Sequence, residues 1–450
     1  MERSMKRSEG EEVERPHAVC LPMPAQGHLN PMMVLSTFLH SHGFTITFIH
    51  TDFDRSRLLR SGGPAALRST ETFRYASFPD GLPPSDIEGN RHTPASGPKV
   101  TLLVWDGITS FGRRAAEALG IPNVMFWTAS AAGLLSYLHF PELVARGIAP
   151  LKDESYLSNG YLESRVDWIP GMKDITLRDL PGVLRTTDPD DIMFNFVKDE
   201  AMSAHEASAI FINTFDELEL EVLTAMASKL PPIHPIGPLS LLLPNHQAAS
   251  MASNLWKEDG RCMEWLDQRE AESVVYVNFG SVINLTVETF KEFAWGLVDS
   301  KQYFLWVIRP DLVPGSGLPE EFWEAARGRG LVVEWCSQRE VLMKASVGAF
   351  VTHCGWNSVL EAIAGGVPML CWPAFAEQTT NCYYACKKWG VGVEIGEVVR
   401  REEVTRLVVE VMEGEKGKEM KKKAAQWKEK AHRTIKAGSS FTNINRLLLV

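Results

Sequence analysis

The chain has 450 residues, 45% of them hydrophobic and 23% charged, and carries a formal net charge of −10. That length favours two domains, and that composition excludes disorder for the bulk of the chain. The charge excludes nucleic acid or an anionic membrane as the main partner, although backbone amides and helix N-termini can still bind an anion locally.

Residues 1–16 form a polar, charged tail without the apolar core of a signal peptide. No segment has the apolar length of a transmembrane helix, so no stable membrane insertion is expected. The seven cysteines (Cys20, Cys262, Cys336, Cys354, Cys371, Cys382, Cys386) are scattered, odd in number and without a C-x-x-C pair. This is the pattern of reduced thiols in a cytoplasmic protein. His353 and Cys354 are adjacent, but no second pair follows at structural-zinc spacing, and no metal is expected.

From residue 17 onward, short β-rich runs alternate with helical patterns, which predicts parallel sheets with helical crossovers. HAVCLPMP ends in a Gly-containing turn, and Pro31 is expected to open a helix that stops near Gly43. Strands are predicted at 45–51, 73–78, 100–106, 123–128 and 209–215. The run 231–255 is rich in Pro, Ser and Ala and holds no period, so the interdomain linker is placed at 236–256. Strands resume at 273–281, 303–309, 331–335, 347–353, 368–373 and 391–395. The expected fold class is α/β: two doubly wound Rossmann-like domains, 17–235 and 257–450, with ligands in the cleft between them. The Lys-rich stretch 416–436 reads as a solvated helix face, and the last helix is expected to pack back on the first domain.

The densest block is WCSQREVLMKASVGAFVTHCGWNSVLEAIAGGVPMLCWPAFAEQ, from Trp335 to Gln378. A strand ends at His353, Cys354-Gly355-Trp356 make a tight turn, and Asn357 and Ser358 begin a helix. Strand, glycine turn and helix N-terminus together form an anion site. Ser358-x-x-Glu361 equally satisfies a capping box, and on that fragment alone phosphate binding and simple capping stand level. The surroundings favour a nucleotide sugar. Trp335 offers a stacking face, Gln338 and Glu361 suit ribose hydroxyls, and Glu377 beside Gln378 suits a sugar, which needs acceptors and donors together.

This block resembles the signature box of plant secondary-product UDP-glycosyltransferases, an inverting family with the two-Rossmann GT-B fold. The likeness lies in Trp-Cys-x-Gln, THCGWNS, GVPM-xx-WP and the closing acidic-Gln pair. It extends from PAQGHLNP to the SSF near the C-terminus and, within the family, is nearest the clade acting on terpenoid, iridoid and cyanohydrin aglycones. The resemblance implies that Trp335 stacks on uracil and the Cys336 backbone pairs with it. Gln338 and Glu361 would hold the ribose, and Ser281, His353, Gly355, Asn357 and Ser358 the diphosphate. Trp356, Glu377, Gln378 and Thr128 would line the sugar, with Gln378 associated with glucose. The family more often has Asp at the position of Glu377; Ser337 and Lys344 also depart from its usual Pro and His.

His28, in QGHLNP, lies just after the first strand, and Asp106 ends the strand VTLLVWD. Read alone, they are a capping or turn histidine and an N-cap for the next helix. The resemblance makes His28 the general base and Asp106 its partner. It implies one displacement with inversion, UDP-glucose as co-substrate, a small apolar acceptor bearing a hydroxyl or carboxyl, no other cofactor, and a monomer. Asp188-Pro-Asp190-Asp191 and Asp52-Phe53-Asp54 imitate the D-x-D of metal-dependent transferases, and capping is the preferred reading of the former.

The segment 87–99 is short for the family, which typically carries at least one more helix there on the acceptor side. This keeps open a protein that binds a UDP-sugar with little or no transferase activity; a nucleotide-sugar epimerase is the other rival. The lack of G-x-G-x-x-G after a first strand disfavours a nicotinamide dehydrogenase, and the lack of G-x-S-x-G a serine hydrolase.

Overall fold

The computed structural model describes residues 15–63, 66–79, 99–243, 255–309 and 318–448. Most of the tail 1–16, most of the segment 87–99 and the middle of the 236–256 linker lie outside the described residues.

Short apolar runs form the strands of the first sheet: His17–Leu21 (β1), Thr45–Thr51 (β2), Phe73–Phe78 (β3), Leu102–Asp106 (β4), Asn123–Trp127 (β5), Ile210–Ile212 (β6) and Ile233–Pro235 (β7). They lie in the order β3-β2-β1-β4-β5-β6-β7, every neighbour parallel. The second sheet holds Val274–Asn278 (β8), Tyr303–Val307 (β9), Gly330–Val333 (β10), Val347–Thr352 (β11), Met369–Cys371 (β12) and Gly392–Glu394 (β13). Its order is β10-β9-β8-β11-β12-β13, again all parallel. Strands such as β4, β5, β8 and β11 are buried at every residue, as expected when helices cover both faces of a sheet. The winding direction reverses between β1 and β4 in one sheet and between β8 and β11 in the other. Each reversal opens a crevice at the carboxyl ends of the strands.

The structure corrects two details of the sequence reading. The first long helix runs from Gln26 to Ser41, so Pro31 sits inside it rather than at its start. Proline has no N–H to donate back four residues, so the Gly27 carbonyl is left without that intrahelical partner. Within the proline-rich run 231–255, Ile233–Pro235 pairs with β6 as the seventh strand. Three residues are too few to show a period, and Pro235 is tolerated because β7 is an edge strand.

The helix Glu415–Ala437 buries Met420, Ala424 and Ala431, while half of its lysines are exposed and none is buried. The next helix, Ser439–Leu447, returns to the first domain. Ile444 and Leu447 join its core, Ser440 Oγ donates to the Gly237 carbonyl at 2.7 Å, and Asn443 Nδ2 donates to the Pro235 carbonyl at 3.0 Å.

Candidate active site

The first crevice places His28, in the opening turn of Gln26–Ser41, beside Asp106 at the end of the neighbouring strand β4. His28 Nδ1 lies 2.8 Å from Asp106 Oδ2, and Thr128 Oγ1 lies 2.8 Å from the same nitrogen. Asp106 Oδ1 accepts from the Ile108 N–H at 3.2 Å, so the carboxylate is fixed from both sides. It caps no helix. The helix that follows starts at Phe111, and the Ser110 N–H and hydroxyl before it are held by Glu200. With its Nδ1 proton directed at Asp106, His28 presents Nε2 as an acceptor. The His28 side chain is 24% exposed and that of Asp106 only 1%. Burial pushes the imidazole pKa down, but the Asp106 charge and hydrogen bond, with the Glu377 charge behind them, more than reverse this and leave it raised. The Thr128 hydroxyl, which the family resemblance directs at the sugar, is engaged with His28.

In the second crevice β11 runs into the turn His353-Cys354-Gly355 and the helix Trp356–Gly365. Cys354 takes a left-handed φ of 64°, held by its N–H on Thr352 Oγ1 and by Asn381 Nδ2 on its carbonyl. The N–H groups of Trp356, Asn357 and Ser358 then open the helix without intrahelical acceptors, as an anion cradle requires. His353 is wedged between two glycines: a Cβ on Gly280 would fall 2.6 Å from its ring and one on Gly355 only 2.4 Å. Burial drives its pKa down to about 4, so the ring is neutral, and its Nδ1 has no partner.

Gln338 organises the wall beside this cradle. Its Oε1 accepts from Asn278 Nδ2 at 2.9 Å, and its Nε2 donates to Ser358 Oγ at 2.9 Å and to Glu361 Oε2 at 2.7 Å. The capping box does not form. The helix N-cap is Gly355, which puts Ser358 inside the first turn, and both Ser358 and Glu361 turn to Gln338. Burial raises the Glu361 carboxyl to about 7, against the opposing effects of the Gln338 hydrogen bond and the Arg339 charge. Cys336 Sγ lies 3.5 Å from the Tyr276 hydroxyl. Trp335, 8% exposed, has Trp256 against it at 4.7 Å between ring centroids, and the guanidiniums of Arg57 and Arg309 lie over Trp256. Ser281 follows Gly280, and its carbonyl accepts from Arg309.

Three contacts close one crevice on the other. Asn357 Nδ2 donates to the Gly27 carbonyl at 2.7 Å, the acceptor that Pro31 leaves open. The Trp356 indole N–H donates to the Asn213 carbonyl at 2.7 Å, so this donor is committed to the domain interface rather than available to a sugar hydroxyl. Glu377 packs over Gly133, where a Cβ would fall 2.8 Å from Glu377 Cγ, and its carboxylate accepts from the Tyr137 hydroxyl at 3.5 Å. Burial raises the Glu377 pKa, partly offset by the His28 charge. Gln378 Oε1 accepts from the Ala374 and Phe375 N–H groups and shapes the loop that presents Glu377. Asn213, Gly133, Tyr137 and Trp256 escaped the sequence reading because none belongs to a motif. Pro31 alone carried a signal, a helical carbonyl in need of a donor.

The D-x-D imitations are local structure. Asp191 caps the helix Ile192–Met202 through the Phe194 N–H, and Asp188 accepts from the Asp190 N–H. Asp52 and Asp54 occupy the first turn of a helix capped by Thr51.

The sequence model of the family described as UDP-glucoronosyl and UDP-glucosyl transferase matches residues 189–427. A 7-deoxyloganetin glucosyltransferase of Gardenia jasminoides is 50% identical, covering 97% of this chain and 98% of its own. That alignment spans 470 residues, so the relative carries positions with no counterpart in this chain of 450. An (R)-mandelonitrile beta-glucosyltransferase of Prunus dulcis is 46% identical, with 97% of each chain covered. Among solved structures, Os79 from O. sativa in complex with UDP superposes with a TM-score of 0.79 at 28% identity, over 96% of this chain and 99% of that one. Phytolacca americana UGT2 complexed with UDP-2fluoro-glucose and pterostilbene gives 0.78 at 27% identity, over 96% and 98%. With more than half its length matched by the family model and half its residues shared with a full-length relative, this chain belongs to the UDP-glucosyl and UDP-glucuronosyl transferase family, on the two-Rossmann GT-B fold.

Proposed function

We propose that the chain transfers glucose from UDP-glucose to a hydroxyl of a small apolar secondary metabolite of the iridoid or cyanohydrin type, with inversion and without a metal. The observation that carries this reading is the 2.8 Å His28–Asp106 pair facing, across the cleft, a helix N-terminus whose Asn357 reaches back to the base-bearing helix. In the reaction the acceptor O–H gives its proton to His28 Nε2, and its oxygen forms the new bond to the anomeric carbon. The bond from that carbon to the diphosphate oxygen breaks on the opposite face. The N–H groups that open the helix Trp356–Gly365 and the neutral His353 take up the negative charge developing on the departing UDP. Asp106 holds the imidazole in the productive tautomer and stabilises the imidazolium. Glu377, beside the base, supplies a carboxylate for sugar hydroxyls.

A panel of iridoid and cyanohydrin alcohols with UDP-glucose, read by mass spectrometry and anomeric NMR couplings, should give a β-monoglucoside. His28→Ala should lower turnover ~10²–10⁴-fold while leaving UDP affinity within about twofold. Retained turnover in that variant removes His28 as base. Full activity in EDTA is expected; loss there with recovery on adding manganese overturns the metal-free reading. Incubation with UDP-glucose alone should return it unchanged, whereas conversion to another UDP-sugar supports an epimerase.

The proposal includes a cytoplasmic monomer. The cytoplasmic part is supported by seven free thiols and by the fact that no helix among the described residues is long and apolar enough to cross a membrane. Fractionation of the tagged full chain and sedimentation of the purified protein check the two parts.

A further inference from the structure

Four of the seven cysteines converge beneath the phosphate cradle. Cys354 lies in the turn after β11, Cys371 ends β12, Cys382 lies on the helix Gln378–Tyr383, and Cys386 follows one turn later. The sulfurs of Cys354, Cys371 and Cys382 lie within 4.8 Å of one another, all buried. Cys386 Sγ lies 4.0 Å from Cys382 Sγ.

The space around the sulfurs is shaped by a glycine. A Cβ on Gly392 of β13 would fall 3.0 Å from Cys386 Sγ and 3.1 Å from Cys371 Sγ. Three thiolates around one ion at a metal–sulfur distance of about 2.3 Å have sulfur–sulfur edges of about 4.0 Å. The observed separations reach that arrangement by sub-ångström shifts. No carboxylate or imidazole belongs to the group, and an all-sulfur donor set selects soft d¹⁰ ions over magnesium, calcium or manganese. Cys386 is only half-buried, and the Arg178 guanidinium adds positive charge beside Cys382.

We propose that Cys354, Cys371 and Cys382, with Cys386 as fourth donor, form a binding site for a thiophilic d¹⁰ cation (zinc, cadmium or copper(I)). The site is separate from the transfer chemistry and clamps the cradle turn to β12 and the helix behind Glu377. Binding exchanges protons for metal: each ligating thiol loses one proton to solvent as its sulfur–metal bond forms, and no electron moves. The inference stands whether or not the proposed acceptor and base are correct.

The test is cadmium titration of the reduced full-length protein in a non-chelating phosphine reductant. An ultraviolet sulfur-to-cadmium charge-transfer band should saturate at one equivalent, with release of three to four protons. Cys371→Ala/Cys382→Ala should lose the band, Cys382→Ala alone should weaken cadmium binding at least tenfold, and Cys20→Ser and Cys262→Ser should keep it. UDP affinity and circular dichroism report folding of each variant; if the double variant does not fold, the single one decides. A native protein without a saturating band, or a band undiminished in Cys382→Ala, overturns the site. So does a band lost only in Cys262→Ser, which would assign it to the Cys262–Cys336 pair.

Discussion

His28 and Glu361 are acid–base groups whose surroundings raise both pKa values with opposite effects on charge. For His28 the neighbouring carboxylates outweigh burial and favour the cation. A base must be neutral to work, so kcat/KM should fall as pH drops through a pKa above the ordinary value of about 6.5. Asp106→Asn should move that limb to lower pH and depress the plateau, because the neutral amide neither stabilises the imidazolium nor enforces the tautomer. A limb that stays in place in the variant contradicts the pairing. For Glu361 burial favours the neutral acid, up to about 7. Ribose hydroxyls donating to the carboxylate would favour its ionised form. UDP binding near pH 7 should therefore release a proton, seen by calorimetry in buffers of different ionisation enthalpy. The stability sign follows from linkage: the folded state holds this proton to higher pH than the unfolded chain. The destabilisation is therefore absent below about 4.5 and complete above about 7. Glu361→Gln should raise Tm more at pH 8 than at pH 4.5, while weakening UDP binding.

At the scale of elements, the domains meet through helix ends. Gln26–Ser41 carries the base and, because Pro31 interrupts its ladder, an open carbonyl for Asn357. The helix Ala131–Leu138 presents Gly133 as the floor on which Glu377 rests. Gly133→Ala should displace Glu377, since the new methyl carbon would fall 2.8 Å from Cγ and 3.0 Å from Cβ of that residue. We expect the affinity for UDP-glucose to fall about tenfold, an effect of about 1.4 kcal/mol. Affinity for UDP, which has no sugar, should not change. Equal losses for both ligands would mean that the helix itself has been disrupted.

For the whole molecule, the closing helix Ser439–Leu447 makes the second domain's tail part of the first domain's core. Leu447 is fully buried there. Leu447→Ala should cost ~2–5 kcal/mol, as other buried leucine truncations do, and denaturant unfolding followed by N-terminal-domain tryptophans measures it. A change below about 1 kcal/mol would show that the helix is docked without supporting the core.

The two sheets, their parallel winding and the cradle turn were legible in the sequence because each rests on local pattern: apolar runs of strand length, helical periods between them, and a glycine turn opening a helix. The pairing of His28 with Asp106 needed a family resemblance as well, since 78 residues separate them. Apart from the return of the last helix to the first domain, what joins the halves was not legible. Trp356 to Asn213, Asn357 to Gly27, Glu377 over Gly133 and the four converging thiols all depend on which carboxyl edge faces which. Side-chain type and spacing fix what a residue can do; only strand order and domain closure decide which residues, hundreds of positions apart, meet to do it.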